Sequence, residues 1–323
     1  MLQVRNLSVR YEGSGLPVAA VRDVSFDVSP GEVVGLLGES GSGKTTLAAA
    51  LLQLLAPTAR IANGSVRFMD RELTGLSERE LERIRGAQLS LIFQEPAISL
   101  SPVMRVGTQI ANVLRAHRTW NRARCRNQAK TLMAEVGLLD SDRMYDAYPH
   151  ELSSGEKQRV VVAQALACEP ALVIADEPTA NLDRATETQV LQLLKDMKAR
   201  FGLGLLFITH NPALVAGFAD RVMVMYAGQI VEQGPPATVL QKPLHPYTMG
   251  LVRCIPDDRP AESGRKTLLP IPGDPPDLAR LPNACAFEDR CCSRLPICAT
   301  RIPEVTQPTL GQSVRCFNPG GIP

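Results

Sequence analysis

Gly38-Glu39-Ser40-Gly41-Ser42-Gly43-Lys44-Thr45 has the spacing G-x-x-x-x-G-K-[ST], a pattern able to wrap a polyphosphate. Its glycines let consecutive backbone N–H groups turn inward at the positive end of a following helix. Lys44 supplies a point charge for β- and γ-phosphates, and Thr45 offers a hydroxyl to Mg²⁺. Further along, Ala171-Leu172-Val173-Ile174-Ala175 runs straight into Asp176-Glu177. An acidic pair ending a buried strand is costly unless it holds a cation or does chemistry. Asp176 suits a Mg²⁺ ligand, direct or through water, and Glu177 suits polarising a water for attack on a γ-phosphate. Alone, the pair before Pro178 also fits a turn with solvated acids; beside a phosphate loop that reading is weak. The two motifs together predict a nucleoside triphosphate site.

A second constellation is made of thiols. Cys285-x5-Cys291-x6-Cys298-x17-Cys316 lies in the last 39 residues, whereas Cys125, Cys168 and Cys254 are scattered. Four thiolates suit tetrahedral Zn²⁺ or an iron–sulfur cluster, and plain packing or free thiols remain open. Cys292 adjoins Cys291 and is read as a spare. The surrounding segment is proline-rich: 16 of the 25 prolines lie from Gly234 onward. Proline removes backbone donors and breaks helices, so this tail is expected to be mostly irregular. A domain boundary is therefore placed near Gly234, giving residues 1–233 and 234–323.

The elements that must position these motifs follow from hydrophobic periodicity. Residues 3–11 and 21–28 alternate in part, as strands with one solvated face do. Residues 32–38 are apolar without alternation, which suggests a strand buried on both faces. A helix rich in Ala and Leu follows at 44–55. Further buried strands are expected at 89–94, 171–175, 203–208 and 221–225, with helices at 156–168 and 183–200. Strands alternating with helices predict an α/β fold around a largely parallel sheet. Between about 96 and 151 only helices are expected, at 106–117 and 122–136, as an insert in the α/β core.

Composition excludes several classes. Lys and Arg number 35 against 33 Asp and Glu, a net charge of +2, too even for a broad nucleic-acid surface. Apolar runs such as 160–163 and 203–208 fall far short of the roughly 18–20 residues of a bilayer span. The first residues lack a signal-peptide pattern, so a cytosolic chain is expected, held at a membrane only through partners.

Glu151-Leu152-Ser153-Ser154-Gly155-Glu156-Lys157-Gln158-Arg159 resembles the signature, usually LSGGQ, of ATP-binding cassette (ABC) ATPases. Leu152, Ser153 and Gly155 match; Ser154 and Glu156 depart. Ser153-x-x-Glu156 before an apolar run is also a helix capping box, and a capped helix start still attracts anions. The resemblance continues in order. Gln94 in Phe93-Gln94-Glu95-Pro96 is similar to the family's Q-loop, Asn181-Leu182-Asp183 to its D-loop, His210 to its switch histidine, and Tyr11 to the aromatic residue that stacks on adenine. Asn211 stands where Asp is more usual.

The likeness implies a P-loop ABC nucleotide-binding domain: a RecA-like core with an antiparallel β subdomain and a helical insert, plus an irregular C-terminal extension. It implies that Gly38, Ser40, Gly41, Ser42, Gly43, Lys44, Thr45, Thr46, Gln94 and Tyr11 bind ATP. Thr45, Gln94 and Asp176 would hold Mg²⁺, with Glu177 and His210 catalytic. Ser153, Ser154, Gly155, Glu156 and Asp183 would face a nucleotide on a second subunit.

In the tail, His245-Pro246-Tyr247-Thr248, Ile271-Pro272-Gly273-Asp274-Pro275-Pro276 and Cys285-Ala286-Phe287-Glu288-Asp289-Arg290-Cys291 resemble the extension of oligopeptide/dipeptide importer ATPases. Phe93-Gln94-Glu95-Pro96 and Ser99-Leu100-Ser101-Pro102 fit that branch too. This branch implies an ATPase driving peptide uptake, paired with a related second ATPase. Two membrane permeases and an extracytoplasmic binding protein complete the assembly, with the ATPases peripheral on the cytoplasmic face of the inner membrane and no nucleic acid. It also implies a [4Fe–4S] cluster on Cys285, Cys291, Cys298 and Cys316, with Zn²⁺ as the alternative. Competing expectations are an importer for nickel or another small solute and a soluble non-transport ABC ATPase. A metabolic P-loop kinase would leave residues 153–158 and the tail unexplained.

Overall fold

The computed structural model describes residues 1–13, 15–254 and 270–321. Residues 255–269, part of the segment expected to be irregular, lie outside the described residues. The chain falls into two compact units, one of residues 1–27, 33–74 and 209–323 and the other of 28–32 and 75–208.

In the first unit, β1 (Leu2–Tyr11), β2 (Val18–Val28), β4 (Ala59–Phe68) and β5 (Arg71–Glu72) form a sheet in the order β2-β1-β4-β5. Leu2, Val4, Leu7 and Val9 of β1 are fully buried while the residues between face outward or are partly covered, the one-sided pattern read from the sequence. β3 (Val33–Leu37) is buried at every position, so no polar face could have alternated. It runs parallel to β9 (Arg221–Tyr226). The following helix, α1, spans Lys44–Leu51 and stops short of residue 55. Leu54 N donates to Ala49 O at 2.8 Å and Gln53 N to Ala50 O at 3.0 Å, with Gln53 at φ 54°. That pair of reversed bonds is the Schellman closure, which ends a helix by satisfying its last carbonyls.

The tail is more regular than its proline content predicts. β10 (Gln229–Gly234) pairs with β9 and with β12 (Gln312–Arg315), and β12 with β11 (Val305–Thr309), all antiparallel. Helices α10 (Pro236–Gln241) and α11 (Pro246–Arg253) follow β10, each with proline at its start. There the missing N–H costs nothing, because the first turn has no intrahelical acceptor for it. Pro308 sits in β11, exposed throughout, where an outer strand tolerates it. From 270 to 304 the chain is turns and two 3-10 segments, Glu288–Arg290 and Pro296–Ala299.

In the second unit β6 (Leu89–Ile92), β7 (Leu172–Asp176) and β8 (Gly204–Thr209) are parallel in the order β6-β7-β8. Helix α7 (Ser154–Leu166) packs on β6, and α8 (Arg184–Phe201) packs on α7. Between β6 and α7 the described elements are all helical: α3 (Pro96–Ser99), α4 (Val106–His117), α5 (Arg122–Glu135), α6 (Ser141–Asp146) and a 3-10 turn at Pro149–Glu151. α4 packs against α5, α6 and α7. Among the described residues, no helix is long and apolar enough to cross a membrane.

Candidate functional site

The phosphate loop joins β3 to α1. Gly43 stands at the helix N-cap with φ 105°, and a Cβ there would come within 2.2 Å of Ala20 O. Only glycine can hold the loop this tightly against β2. Because Gly43 offers no side chain, α1 begins without a side-chain cap. Its first N–H groups and the helix dipole are left for an anion. Lys44 is 5% exposed, and its Nζ donates to Gly38 O at 2.8 Å and Glu39 O at 2.9 Å. Ser42 Oγ is buried and has no hydrogen-bond partner among the described residues. An uncapped helix start, a folded-in lysine and an orphaned hydroxyl fit a polyphosphate. Gly41 and Ser40 lie on the exposed side of the loop, and Thr45 is exposed at the first turn of α1. Thr46 and Tyr11 come together, with Tyr11 Oη and Thr46 Oγ1 3.1 Å apart, so the aromatic ring at the end of β1 stands beside the helix start. His210, also in this unit, is exposed directly after β8. Asn211 Oδ1 accepts from Ala213 N at 3.0 Å as the cap of α9 (Pro212–Ala216), which explains why Asn serves there.

In the second unit β7 delivers Asp176 buried at 4% exposure and Glu177 immediately beyond. Glu177 takes φ 46°, and its N–H donates to Ile208 O at 2.9 Å. Gln94, exposed two residues after β6, donates from Nε2 to Glu177 Oε2 at 3.2 Å. Two residues picked out separately in the sequence thus meet at the ends of adjacent parallel strands, where loops of α/β sheets collect ligands.

Ser153 caps α7, and Glu156 folds back on it. Glu156 Oε2 accepts from Ser153 N and Ser153 Oγ, each at 2.8 Å, while Ser153 Oγ accepts from Glu156 N at 3.3 Å. The Ser153 N–H and hydroxyl hold the Glu156 carboxyl below its ordinary value. Ser153 and Ser154 are exposed, and Gly155 packs near Thr186, whose Cγ2 a Cβ would meet at 2.8 Å. Asp183 caps α8, accepting from Ala185 N and Thr186 N at 3.0 Å and from Thr186 Oγ1 at 2.6 Å. Those bonds, led by the Thr186 hydroxyl, lower its pKa.

The four tail thiols form one electrostatic neighbourhood: Cys285 feels the charge of Cys298, Cys316 and Cys291, and Cys316 that of Cys291 and Cys298. Burial pushes Cys285 and Cys316 up to about 11 and raises Cys291. Two sulfurs accept a backbone N–H, Cys316 from Asn318 at 3.3 Å and Cys298 from Leu295 at 3.4 Å, and the Phe287 and Ser293 backbone offsets part of the upward shift at Cys285 and Cys291. N–H donors offset charge on thiolate sulfur, so this donor set fits a tetrathiolate centre chemically. Among the described residues, however, no three His, Cys, Asp or Glu side chains are arranged to hold a metal ion. Cys292 is exposed.

Sequence reasoning did not foresee the contacts that the tail makes with the phosphate loop through Tyr247 and Arg290. Both fall in motifs that the resemblance singles out, but nothing local marks what they touch.

The ABC transporter family profile matches residues 21–180, and the profile of the oligopeptide/dipeptide transporter C-terminal region matches residues 231–298. The oligopeptide transport ATP-binding protein OppD of Escherichia coli is 41% identical over 99% of this chain and 93% of its own. The dipeptide transport ATP-binding protein DppD of Bacillus subtilis is 39% identical over 98% of this chain and 94% of its own. Among solved structures, a dimeric post-hydrolysis state of the ATP-binding cassette MJ0796 bound to ADP and Pi superposes with a TM-score of 0.67 at 26% identity, covering 73% of this chain and 99% of that one. The chain belongs to the ABC transporter family, among the ATP-binding subunits that carry the oligopeptide/dipeptide transporter C-terminal region.

Proposed function

We propose that this protein is the ATP-hydrolysing subunit of a peptide importer, energising uptake through membrane permeases. The observation that carries the reading is the uncapped start of α1 with Lys44 folded into the loop before it, in a chain whose residues 231–298 match the oligopeptide/dipeptide transporter region. We assign residues 1–233 to the ATP-binding module, with the helical insert at about 96–151, and 234–323 to the extension. Its nearest working partners would be a second, related ATPase, two permeases and an extracytoplasmic binding protein, with this chain peripheral on the cytoplasmic face.

The loop N–H groups and Lys44 bind the phosphates, with Gly38, Ser40, Gly41, Ser42, Gly43, Thr45 and Thr46 shaping the cradle and Tyr11 offering its ring to adenine. Mg²⁺, which Thr45, Gln94 and Asp176 would hold, supplies charge neutralisation on the phosphate oxygens. Glu177 accepts a hydrogen bond from the attacking water and orients it, while the Gln94 amide fixes the carboxylate that does so. His210 donates to the γ-phosphate. Ser153, Ser154, Gly155 and Glu156, with Asp183, serve the nucleotide of the second subunit. Hydrolysis is then positioning and electrostatics rather than covalent catalysis. We also assign Cys285, Cys291, Cys298 and Cys316 to a structural [4Fe–4S] cluster, with Zn²⁺ as the alternative; the N–H donors on Cys298 and Cys316 support this.

Reconstitution with partner permeases tests the reading. ATP hydrolysis should rise when peptide-loaded binding protein is added, and Lys44→Ala should abolish both hydrolysis and uptake. Hydrolysis stimulated by nucleic acid or ribosomes, or uptake of nickel with indifference to peptide, would replace the peptide-importer assignment.

A further inference from the structure

Glu39 brings a carboxylate into a loop whose ligand is a polyanion. It is met by Arg290, 251 residues further along the chain: Nη1 donates to Oε2 at 2.8 Å and Nη2 to Oε1 at 3.0 Å. Side-chain exposures of 7% for Arg290 and 23% for Glu39 make this a largely desolvated, bidentate pair, in which the geometry is specific and the charges are poorly screened. Arg290 is itself braced. Its Nε donates to Pro272 O at 2.9 Å, and its guanidinium lies 5.8 Å from the ring centres of both Tyr226 and Phe287. The Glu39 backbone is held as well, its N–H donating to Tyr247 Oη at 2.8 Å and its carbonyl accepting from Lys44 Nζ at 2.9 Å.

The braces belong to the cysteine-bearing tail. Arg290 closes the 3-10 segment Glu288–Arg290, between Cys285 and Cys291. Phe287, in the same loop, packs edge-on against Tyr226 at 5.1 Å and against Tyr247 at 5.6 Å. Tyr226 and Tyr247 are 4.5 Å apart. The loop between two cysteines therefore reaches the phosphate loop through one ion pair and one aromatic cluster.

We propose that Arg290 is a positioning residue for nucleotide binding, cancelling the Glu39 charge and fixing the phosphate loop so that the C-terminal extension controls affinity for the triphosphate. The inference rests on the nucleotide-binding reading and adds a regulator to it. With the guanidinium removed, Glu39 stands as a bare carboxylate beside the phosphates. The penalty must then grow with ligand charge and with falling ionic strength, which a general loosening of the loop would not produce.

The test is a titration of the full chain with a fluorescent ATP and a fluorescent ADP at low and high salt. Arg290→Gln should weaken ATP about tenfold or more and ADP less, with the difference shrinking in salt. Arg290→Lys, which keeps the charge, should retain most of the affinity. Glu39→Gln in the Arg290→Gln background should restore ATP binding to within a few fold. Should Arg290→Gln not fold, Glu39→Gln alone carries the test, because an uncompensated Arg290 should tighten ATP relative to ADP. ATP binding that Lys44→Ala abolishes but Arg290→Gln leaves within twofold overturns the inference and spares the nucleotide reading. So does a loss that hits ATP and ADP equally and is not relieved by Glu39→Gln, or an unchanged ATP-to-ADP ratio in Glu39→Gln. A native chain that binds neither nucleotide overturns both.

Discussion

Gln94 Nε2 donates to Glu177 Oε2 across 3.2 Å, joining the second residue after β6 to the first after β7. The amide fixes one oxygen of the carboxylate without adding a proton to it. That contact fits the proposed roles, Glu177 as the base and Gln94 as the residue that orients it.

Glu177→Gln should therefore leave ATP binding intact and lower turnover by about two to four orders of magnitude, the usual worth of a positioned base. The substitution keeps size and can still take the bond from Gln94. Thermal stability should stay close to that of the native chain. Steady-state hydrolysis of the purified transporter is the measurement, and a variant that keeps native turnover would remove Glu177 from the mechanism.

Gln94→Ala makes the complementary case. It leaves the base in place and removes only the Gln94 bond, so turnover should fall by less than in Glu177→Gln, and the double variant should be no slower than Glu177→Gln alone if the two act as one unit. Additive losses would show that Gln94 works independently of Glu177.

Glu156, the departure from the usual signature, is engaged with Ser153 through two 2.8 Å bonds. Gln can fill the same capping role. Glu156→Gln should thus change stability by less than roughly 0.5 kcal/mol, whereas Ser153→Ala, which loses the cap, should cost about 1 kcal/mol. Denaturant midpoints separate the two. If the Glu156 charge weakens the partner subunit's nucleotide site, Glu156→Gln raises affinity there with no change in midpoint. Equal affinities in the two chains would assign Glu156 to the cap alone.

These side chains were legible because their signal is local. The phosphate loop lies between an apolar strand and a helix, and the carboxylates end an apolar run. What was not legible depends on distant partners. β4 escapes a reading by pattern because Asn63-Gly64 in its middle looks like a hairpin turn. In the structure Gly64 takes φ 94°, and a Cβ there would lie 2.5 Å from Arg5 O and Asn6 O. It allows a register shift against β1, where Asn6 has φ 48°, so the turn signal marks a bulge. Tail prolines were misleading in the same way, since a residue type cannot say whether it opens a helix or breaks one. The Glu39–Arg290 pair joins positions 251 apart, and no periodicity reports such a contact.

The four tail thiols predict a colour. Chain purified without oxygen should be brown, with about four iron atoms and matching acid-labile sulfide. Cys298→Ser should lose the chromophore, and Cys292→Ser should keep it. Stoichiometric zinc without sulfide would put Zn²⁺ in its place; a metal-free chain that folds normally would leave the thiols as packing.

His245 predicts how the extension responds to acid. It is 2% exposed, and burial pushes its pKa down to about 3. Its Nδ1 accepts from Tyr247 N at 3.1 Å, capping α11, while the His245 backbone N–H donates to Glu232 Oε2 at 2.9 Å. An unfolded histidine titrates near 6.5. Between that value and about 3 the unfolded chain binds a proton that the folded chain refuses, so stability falls as pH falls through this window. From pH 6.5 to 4.5 the loss is about 2 kcal/mol, because the slope approaches 1.36 kcal/mol per unit only below the unfolded pKa. Glu232 works the other way. Burial raises its pKa, so the folded chain keeps a proton that the unfolded one releases, and its contribution is lost as pH rises. His245→Asn separates the two, because asparagine can still cap α11 through its side-chain oxygen but does not titrate. Urea midpoints of native chain should drop more steeply between pH 7 and 4.5 than those of the variant, and parallel curves would mean that His245 accepts a proton in the folded state.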